Sequence, residues 1–294
     1  MSDKSEVILI PCDSYDEETV YKKLACGLNE LGGITQFVNI SDHILVKPNF
    51  LSPANADAAV TTHPSVIKAV FRILSEAGCS DVIFGDSPGI GSCKACVDKL
   101  YLKEDGLYGA KLSSMSKEVH VQFPEGEICK DFYFTEEVTE ADSIINLCKM
   151  KTHCLERITG AVKNVYGYVC GAKKAAGHVR FPNATVFARQ LVDIHKCTNT
   201  KLHIMDGIVA MEGNGPGSGT PTPMNVLMMG TDPVAIDSLF CHLIYLNPEA
   251  VPTNSQGQVM GLGTYDRNNI RIIIPGEGEV SMDDVIGRFG NKDF

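Results

Sequence analysis

Along this chain, short and nearly unbroken apolar runs break off into polar or glycine-rich turns, and helical patterns follow. "HILVKPNF" (43–50) leads to "THPSVIKAVFRILSEAG" (62–78), in which Val66, Val70, Ile73 and Leu74 repeat at helical spacing. Pro64 suits the first turn of that helix, with Thr62 or His63 near its cap, and Gly78 suits its end. "DVIFGDSPG" (81–89), "SIINLCKMKTH" (143–153), "LHIMDGIVAMEG" (202–213) and "NVLMMGTDPVAIDSLFCHLI" (225–244) continue the rhythm. Strands written as continuous apolar runs bury both of their faces, which confines the chain to a sheet covered on both sides. The expected fold class is α/β, a mostly parallel sheet with helices on both faces. Residues 101–135 are richer in charge and glycine and predict an irregular or small β insertion, and "RIIIPGEG" (271–278) reads as a late edge strand. With no internal repeat or low-complexity linker, residues 1–294 read as a single α/β domain.

In an open parallel sheet, ligands bind outside the carboxyl ends of the strands. The runs deliver Lys47 and Asn49, then Asp86 and Ser87, then Lys149, Lys151 and His153, then Asp206, and finally Asp232. The segment after the Lys149–His153 run has apolar residues 155, 158, 162, 165 and 166 on one predicted helical face. Glu156, Gly160, Lys163 and Gly167 form a stripe on the other. Two glycines flanking Lys163 let a ligand or another backbone approach closely, tight helix packing being the other reading. Lys47, Lys149, Lys151 and Lys163 would then form a cationic pocket for a carboxylate or phosphate, balanced by Asp86, Asp206 and Asp232. A lysine in such a cluster can serve as a base or hold an anion as a point charge. His63, His153 and His178 stand in loops or helix starts and are candidates for proton transfer or metal ligation, and "GHVRFPN" (177–183) reads as a loop over an anion.

Composition removes several classes. A formal net charge of -10 argues against non-specific nucleic-acid binding. No run reaches the 18 or so apolar residues of a membrane span, and the N-terminus lacks the pattern of a signal peptide, so a cytoplasmic location is expected. Eleven scattered cysteines fit a thiol-rich chain better than a disulfide framework. "SCKAC" places Cys93 and Cys96 at C-x2-C spacing, which alone is no zinc site and reads as incidental helix-surface thiols, and the ferredoxin cysteine run is absent. "MEGNGPGSGTP" (211–221) matches no phosphate loop and suits a lid or tight turn. No G-x-S-x-G elbow supports a hydrolase.

"ILVKPNF", "TTHPSVIKAVFRIL", "GDSPG", "INLCKMKTH", "GAVKNVYG", "IMDGIVAMEGNGPGSG" and "GTDPVAID" together resemble the domain of unknown function 362 family over about residues 44–240. Lys47, Asp86, Lys151, His153, Lys163, Asp206, Glu212 and Asp232 fall on that family's motif positions. Members often continue into a ferredoxin-like domain with two iron–sulfur clusters. This chain ends in "IGRFGNKDF", where such a domain would begin, so the resemblance implies a redox neighbourhood but no cluster of its own. Metal and cofactor identity stay open. The leading expectation is a small anionic substrate or cofactor bound at the strand ends, with a reduction driven by a ferredoxin-type partner. The alternatives are a redox-neutral isomerase or racemase, and a non-catalytic metal- or cofactor-binding module.

Overall fold

In the computed structural model of the chain, residues 4–103, 106–171, 173–174, 181 and 183–294 are described. The strands are β1 (Ser5–Pro11), β2 (Ile44–Pro48), β3 (Val82–Phe84), β4 (Lys111–Leu112), β5 (Glu118–Gln122) and β6 (Asp131–Thr135). They continue as β7 (Ser143–His153), β8 (Arg157–Thr159), β9 (Thr200–Glu212), β10 (Thr220–Gly230), β11 (Ile270–Ile274) and β12 (Gly278–Val280). The helices are α1 (Glu17–Glu30), α2 (Pro64–Glu76), α3 (Cys93–Lys99), α4 (Glu136–Glu140) and α5 (Ala161–Asn164). They continue as α6 (Ala184–Cys197), α7 (Pro233–Leu243), α8 (Pro252–Val259) and α9 (Met282–Phe289). One sheet runs β12-β11-β1-β10-β9-β7-β2-β3-β4, with β8 folded back on β7, and β5 and β6 form a small sheet of their own. Pairing is parallel at β11–β1, β9–β7, β7–β2, β2–β3 and β3–β4. It is antiparallel around β10, at the β12 edge and at β8.

The alternation of side chains along each strand sends apolar groups to both faces. Ile8, Ile145 and Leu147 pack with Val20, Leu24, Val66 and Val70 of α1 and α2. Val7, Cys148, Met150 and Met205 pack with Ala235, Ile236 and Leu239 of α7, and Leu45 and Ile144 pack with Phe187 and Leu191 of α6. The expected sheet covered on both sides is therefore present, and residues 101–135 supply the small β excursion. α2 starts as its sequence predicts: Ser65 N–H donates to His63 Nδ1 at 3.2 Å, and Gly78 takes φ +90° beyond its end.

Three expectations need correction. β11 lies between β1 and β12, so the late run is interior and the short, exposed β12 is the edge. Residues 155–159 are not helical. β7 turns back through Arg157, at φ +67°, into β8, whose Ile158 and Thr159 are branched at Cβ and suit a strand, and Gly160 is extended before α5 begins. Third, β10 runs antiparallel to β9, so its carboxyl end lies at the opposite edge of the sheet from those of β2, β7 and β9. Asp232 therefore caps α7, accepting from Val234 and Ala235 N–H, and is bonded by Ser5 Oγ and Thr264 N–H. It is a structural cap, remote from the strand ends that carry the lysines.

Candidate functional site

A cavity of about 460 Å³ opens where β2, β3 and β7 end. Its polar wall is Lys47, Asn49, Asp86, Ser87, Lys163 and Asn164; Phe50, Leu51, Leu155 and Pro216 supply an apolar side. A mostly preformed concave site with a few convergent polar groups is what small-ligand sites share.

The floor is a rigid polar lattice. Lys47 Nζ stands 3.1 Å from Asp86 Oδ1 and donates to Asn164 Oδ1 and to the Pro48 carbonyl, each at 2.9 Å. Asp86 Oδ2 accepts Phe50 N–H at 2.7 Å. Burial lowers the Lys47 pKa, with the Asp86 charge opposing it. Asn164 Oδ1 also receives Asn49 Nδ2 at 2.7 Å, and its amide group donates to Asn146 Oδ1 at 2.6 Å. A Cβ on Gly167 would run into Asp86 Oδ1 and Lys47, so this glycine admits the ion pair to the floor. A Cβ on Gly160 would meet the Asp237 carboxylate instead. Asp237 accepts Ala161 and Val162 N–H at 2.6 and 3.0 Å and anchors the start of α5. The predicted stripe thus divides: one glycine serves the cavity, the other serves α7 packing.

Lys163 is held differently. Its ammonium lines the cavity and makes no hydrogen bond or ion pair among the described residues. Burial lowers its pKa to about 8, with Glu156 opposing and Lys47 assisting that fall. Lys174, half-buried on the same wall, is lowered by burial to about 8 as well. Thr159 Oγ1 lines the wall, buried and without a partner. His153 Nδ1 accepts Leu155 and Glu156 N–H at 3.1 and 3.2 Å, which places the ring proton of a neutral imidazole on Nε2. Behind this wall Glu156 is 0% exposed, neither carboxylate oxygen has a partner, and burial raises its pKa to about 7. Cys154, exposed, stands at the mouth.

The four-lysine pocket expected from sequence is not assembled as such. Lys47 follows Leu45 onto the α6 face, whereas Lys149 follows Ile145 and Leu147 onto the α1–α2 face. There Lys149 Nζ donates to Asp206 Oδ2 at 2.7 Å and to Tyr15 Oη at 2.9 Å, and Asp206 also accepts Tyr15 O–H and His63 N–H. The His63 ring stacks on Tyr15 at 3.6 Å, and burial lowers its pKa to about 4. Lys151 Nζ, 1% exposed, donates to Asn49 Oδ1 at 2.7 Å and the Val60 carbonyl at 2.6 Å, with burial holding its pKa well below the usual lysine value. None of Lys149, Lys151 and Asp206 lines the cavity. Glu212 is half-buried at the end of β9, also away from it. Ser87 Oγ accepts Gly171 N–H at 3.1 Å. His178 and Arg180 lie outside the described residues. Thr159, Asn164, Lys174 and Cys154 were not predicted; only Asn164, next to Lys163 in "AVKN", had a signal in proximity to the lysine.

Cys93 and Cys96 are buried in α3, not on its surface, and desolvation pushes both thiols up to about 12. Among the described residues no three His, Cys, Asp or Glu side chains are grouped to hold a metal ion. Likewise no described helix is long and apolar enough to cross a membrane.

The sequence pattern of a family described as "Domain of unknown function (DUF362)" matches residues 44–242. The chain is 32% identical over 263 residues to the thylakoid-associated protein sll1697 of Synechocystis sp., covering 87% of this chain and 79% of that protein. Two solved structures, each 12% identical, resemble it more distantly. The lactate racemase apoprotein of Thermoanaerobacterium thermosaccharolyticum gives a TM-score of 0.47 over 82% of this chain and 58% of that one. A Thermotoga maritima protein gives 0.43 over 72% and 55%, so the chain spans a little over half the length of either.

Proposed function

The chain belongs to the domain of unknown function (DUF362) family, and on that premise we propose that its cavity binds a small anion, a carboxylate or phosphate, at Lys163 and Lys174. The observation that carries this reading is Lys163: a partly buried ammonium at a cavity wall with no partner of its own. Leaving such a charge unpaired is costly, and an incoming anion recovers the interaction. The Lys47–Asp86 pair is internally neutralised, so it contributes shape and rigidity more than net charge. A lysine at about 8 exchanges its proton near neutral pH, so Lys163, with His153 and His178 as proton carriers, suits acid–base chemistry on the bound anion. A reduction served by a ferredoxin-type partner and a redox-neutral isomerisation are narrower forms of this reading; a binding module without turnover is its rival. The cytoplasmic location and the single-domain organisation belong to the same proposal.

Cys154 reports on the cavity. In alkylation its thiolate displaces iodide, forming an S–C bond as the C–I bond breaks. Iodoacetate carries a negative charge and iodoacetamide does not, so the ratio of their rates measures the local potential. That ratio should be roughly threefold or more higher at Cys154 than at Cys26, which is also exposed but remote from the cavity. Lys163→Met should lower it toward the Cys26 value. Equal ratios at the two cysteines in the unaltered protein would overturn the anion site. With the binder in hand, loss of turnover in Lys163→Met with retained binding would favour an enzyme, whereas parallel loss of affinity would favour a binding module.

A further inference from the structure

Resting on that anion site, we propose that Glu156 is its positioning acid. Protonated, it leaves the Lys163 ammonium free for the incoming anion; ionised, it draws that ammonium to itself and closes the site electrostatically. Glu156 sits in the connection between β7 and β8, fully sealed, with both oxygens unbonded. Its backbone is fixed, because its N–H donates to His153 Nδ1, which also receives the next N–H upstream. Lys163 approaches from α5 with an equally unbonded ammonium, and more than 4 Å separates the charged atoms, since no ion pair forms between them. Two unpartnered ionisable groups act on each other through their charges, and only Lys163 lines the cavity. Such a pair has one state in which the carboxyl is neutral and the lysine faces the ligand, and another in which both are charged and engaged with each other.

Among the described residues, the other charged and titratable groups around this pair have partners or positions of their own. Lys47 is neutralised by Asp86, and Lys151 is held by Asn49 and the Val60 carbonyl. Lys174 lines the same cavity, Cys154 stands at its mouth and His153 beneath the turn. On the opposite side of α5, Asp237 is also raised by burial to about 7, but both its oxygens are used by Ala161 and Val162 N–H. Among the described residues, Glu156 alone combines complete burial with no hydrogen-bond acceptance at either oxygen, and its charge acts on Lys163.

The test is the pH profile, from 6 to 9, of the iodoacetate-to-iodoacetamide rate ratio at Cys154. Dividing the two rates cancels the ionisation of the thiol itself. The unaltered protein should lose its preference for iodoacetate in two stages, one near pH 7 and one near pH 8. In Glu156→Gln the first stage should vanish, so the ratio at pH 7.5 should rise about threefold over the unaltered protein, a change expected from removing one buried negative charge. Persistence of the stage near pH 7 in Glu156→Gln would place it on another group, Asp237 or a histidine, and overturn the proposal. Should that variant fail to fold, a single stage near pH 8 in the unaltered protein would overturn it equally. A ratio at Cys154 no higher than at Cys26 at any pH would instead remove the anion site, and the role of Glu156 with it.

Discussion

At Lys149 the ammonium has Asp206 Oδ2 at 2.7 Å and Tyr15 Oη at 2.9 Å; at Lys163 it is bonded to neither carboxylate nor hydroxyl among the described residues. The first pair is fully enclosed, and removing one charge would strand the other, at a cost of about 3–5 kcal/mol. Asp206→Asn should therefore lower the unfolding midpoint markedly in a thermal melt while leaving the iodoacetate preference of Cys154 unchanged. Glu156 carries the opposite signature. Its folded pKa, about 7, lies above the usual glutamate value, so the folded state holds the proton more tightly than the unfolded chain. That contribution is complete below about pH 4 and is lost as pH rises through 7. It amounts to about 3 kcal/mol at most. Glu156→Gln cannot ionise there, so it should melt roughly 5 °C above the unaltered protein at pH 8.5, relative to their difference at pH 5. Calorimetry at the two pH values checks it. From the sequence, the residue types of the site were legible, since Lys47, Asn49, Asp86, Ser87, His153 and Lys163 all line one cavity. Their partners were not. Whether a strand lysine faces α6 or α1 depends on the register Lys47↔Asn146 and Lys149↔Asp206, which no local pattern prints.

The stretch that carries Lys163 shows why element boundaries resist sequence reading. Apolar positions at helical spacing continue through 155–166, yet the chain uses them for a strand, a four-residue helix and a 3-10 turn (Val165–Tyr168). A short helix does not sustain itself, and here a side chain from another element completes it: Asp237 of α7 supplies the acceptors for the first two N–H groups of α5. Tertiary context decided the element, as it does wherever local propensity is weak. The 3-10 turn then presents Gly167 to the floor. Gly167→Ala would drive a methyl group into Asp86 and Lys47, both buried, and the expected loss is about 1–3 kcal/mol of overpacking with displacement of the ion pair. Denaturant unfolding should show the lower stability. The Cys154 alkylation ratio should fall as well, because the lattice that orients Asn164 and the start of α5 is disturbed. By contrast α2 was readable from its Pro64 start to its Gly78 end, because its cap, its apolar stripe and its terminator agree.

Across the whole molecule, the α/β class and the two covered faces followed from the apolar runs, while strand order and direction did not. β10 enters antiparallel between β1 and β9, and that one reversal moves Asp232 to the far edge and turns residues 213–219 into the tip of a long hairpin. A sequence records that a strand exists more plainly than which way it points, because a buried strand's side-chain pattern reads the same in both directions. The hairpin tip leans on the end of β7: a Cβ on Gly215 would collide with Thr152, Thr152 Oγ1 donates to the Gly213 carbonyl at 3.0 Å, and Pro216 reaches the cavity beside Leu51. Replacing residues 214–217 with a two-residue turn should admit a bulky anionic alkylating agent to Cys154 at a rate closer to that of iodoacetate, with the charge preference intact. Competition between the two reagents measures it. The charged floor comes from the parallel strands and from α5, and the ceiling comes from a loop whose flanking strands are already paired to each other. Loops of that kind change length without shifting the strands that carry them. The capacity of the chamber and the polarity of its guest are therefore encoded in separate parts of the gene, so a lineage can resize what it accepts while keeping the chemistry at the bottom untouched.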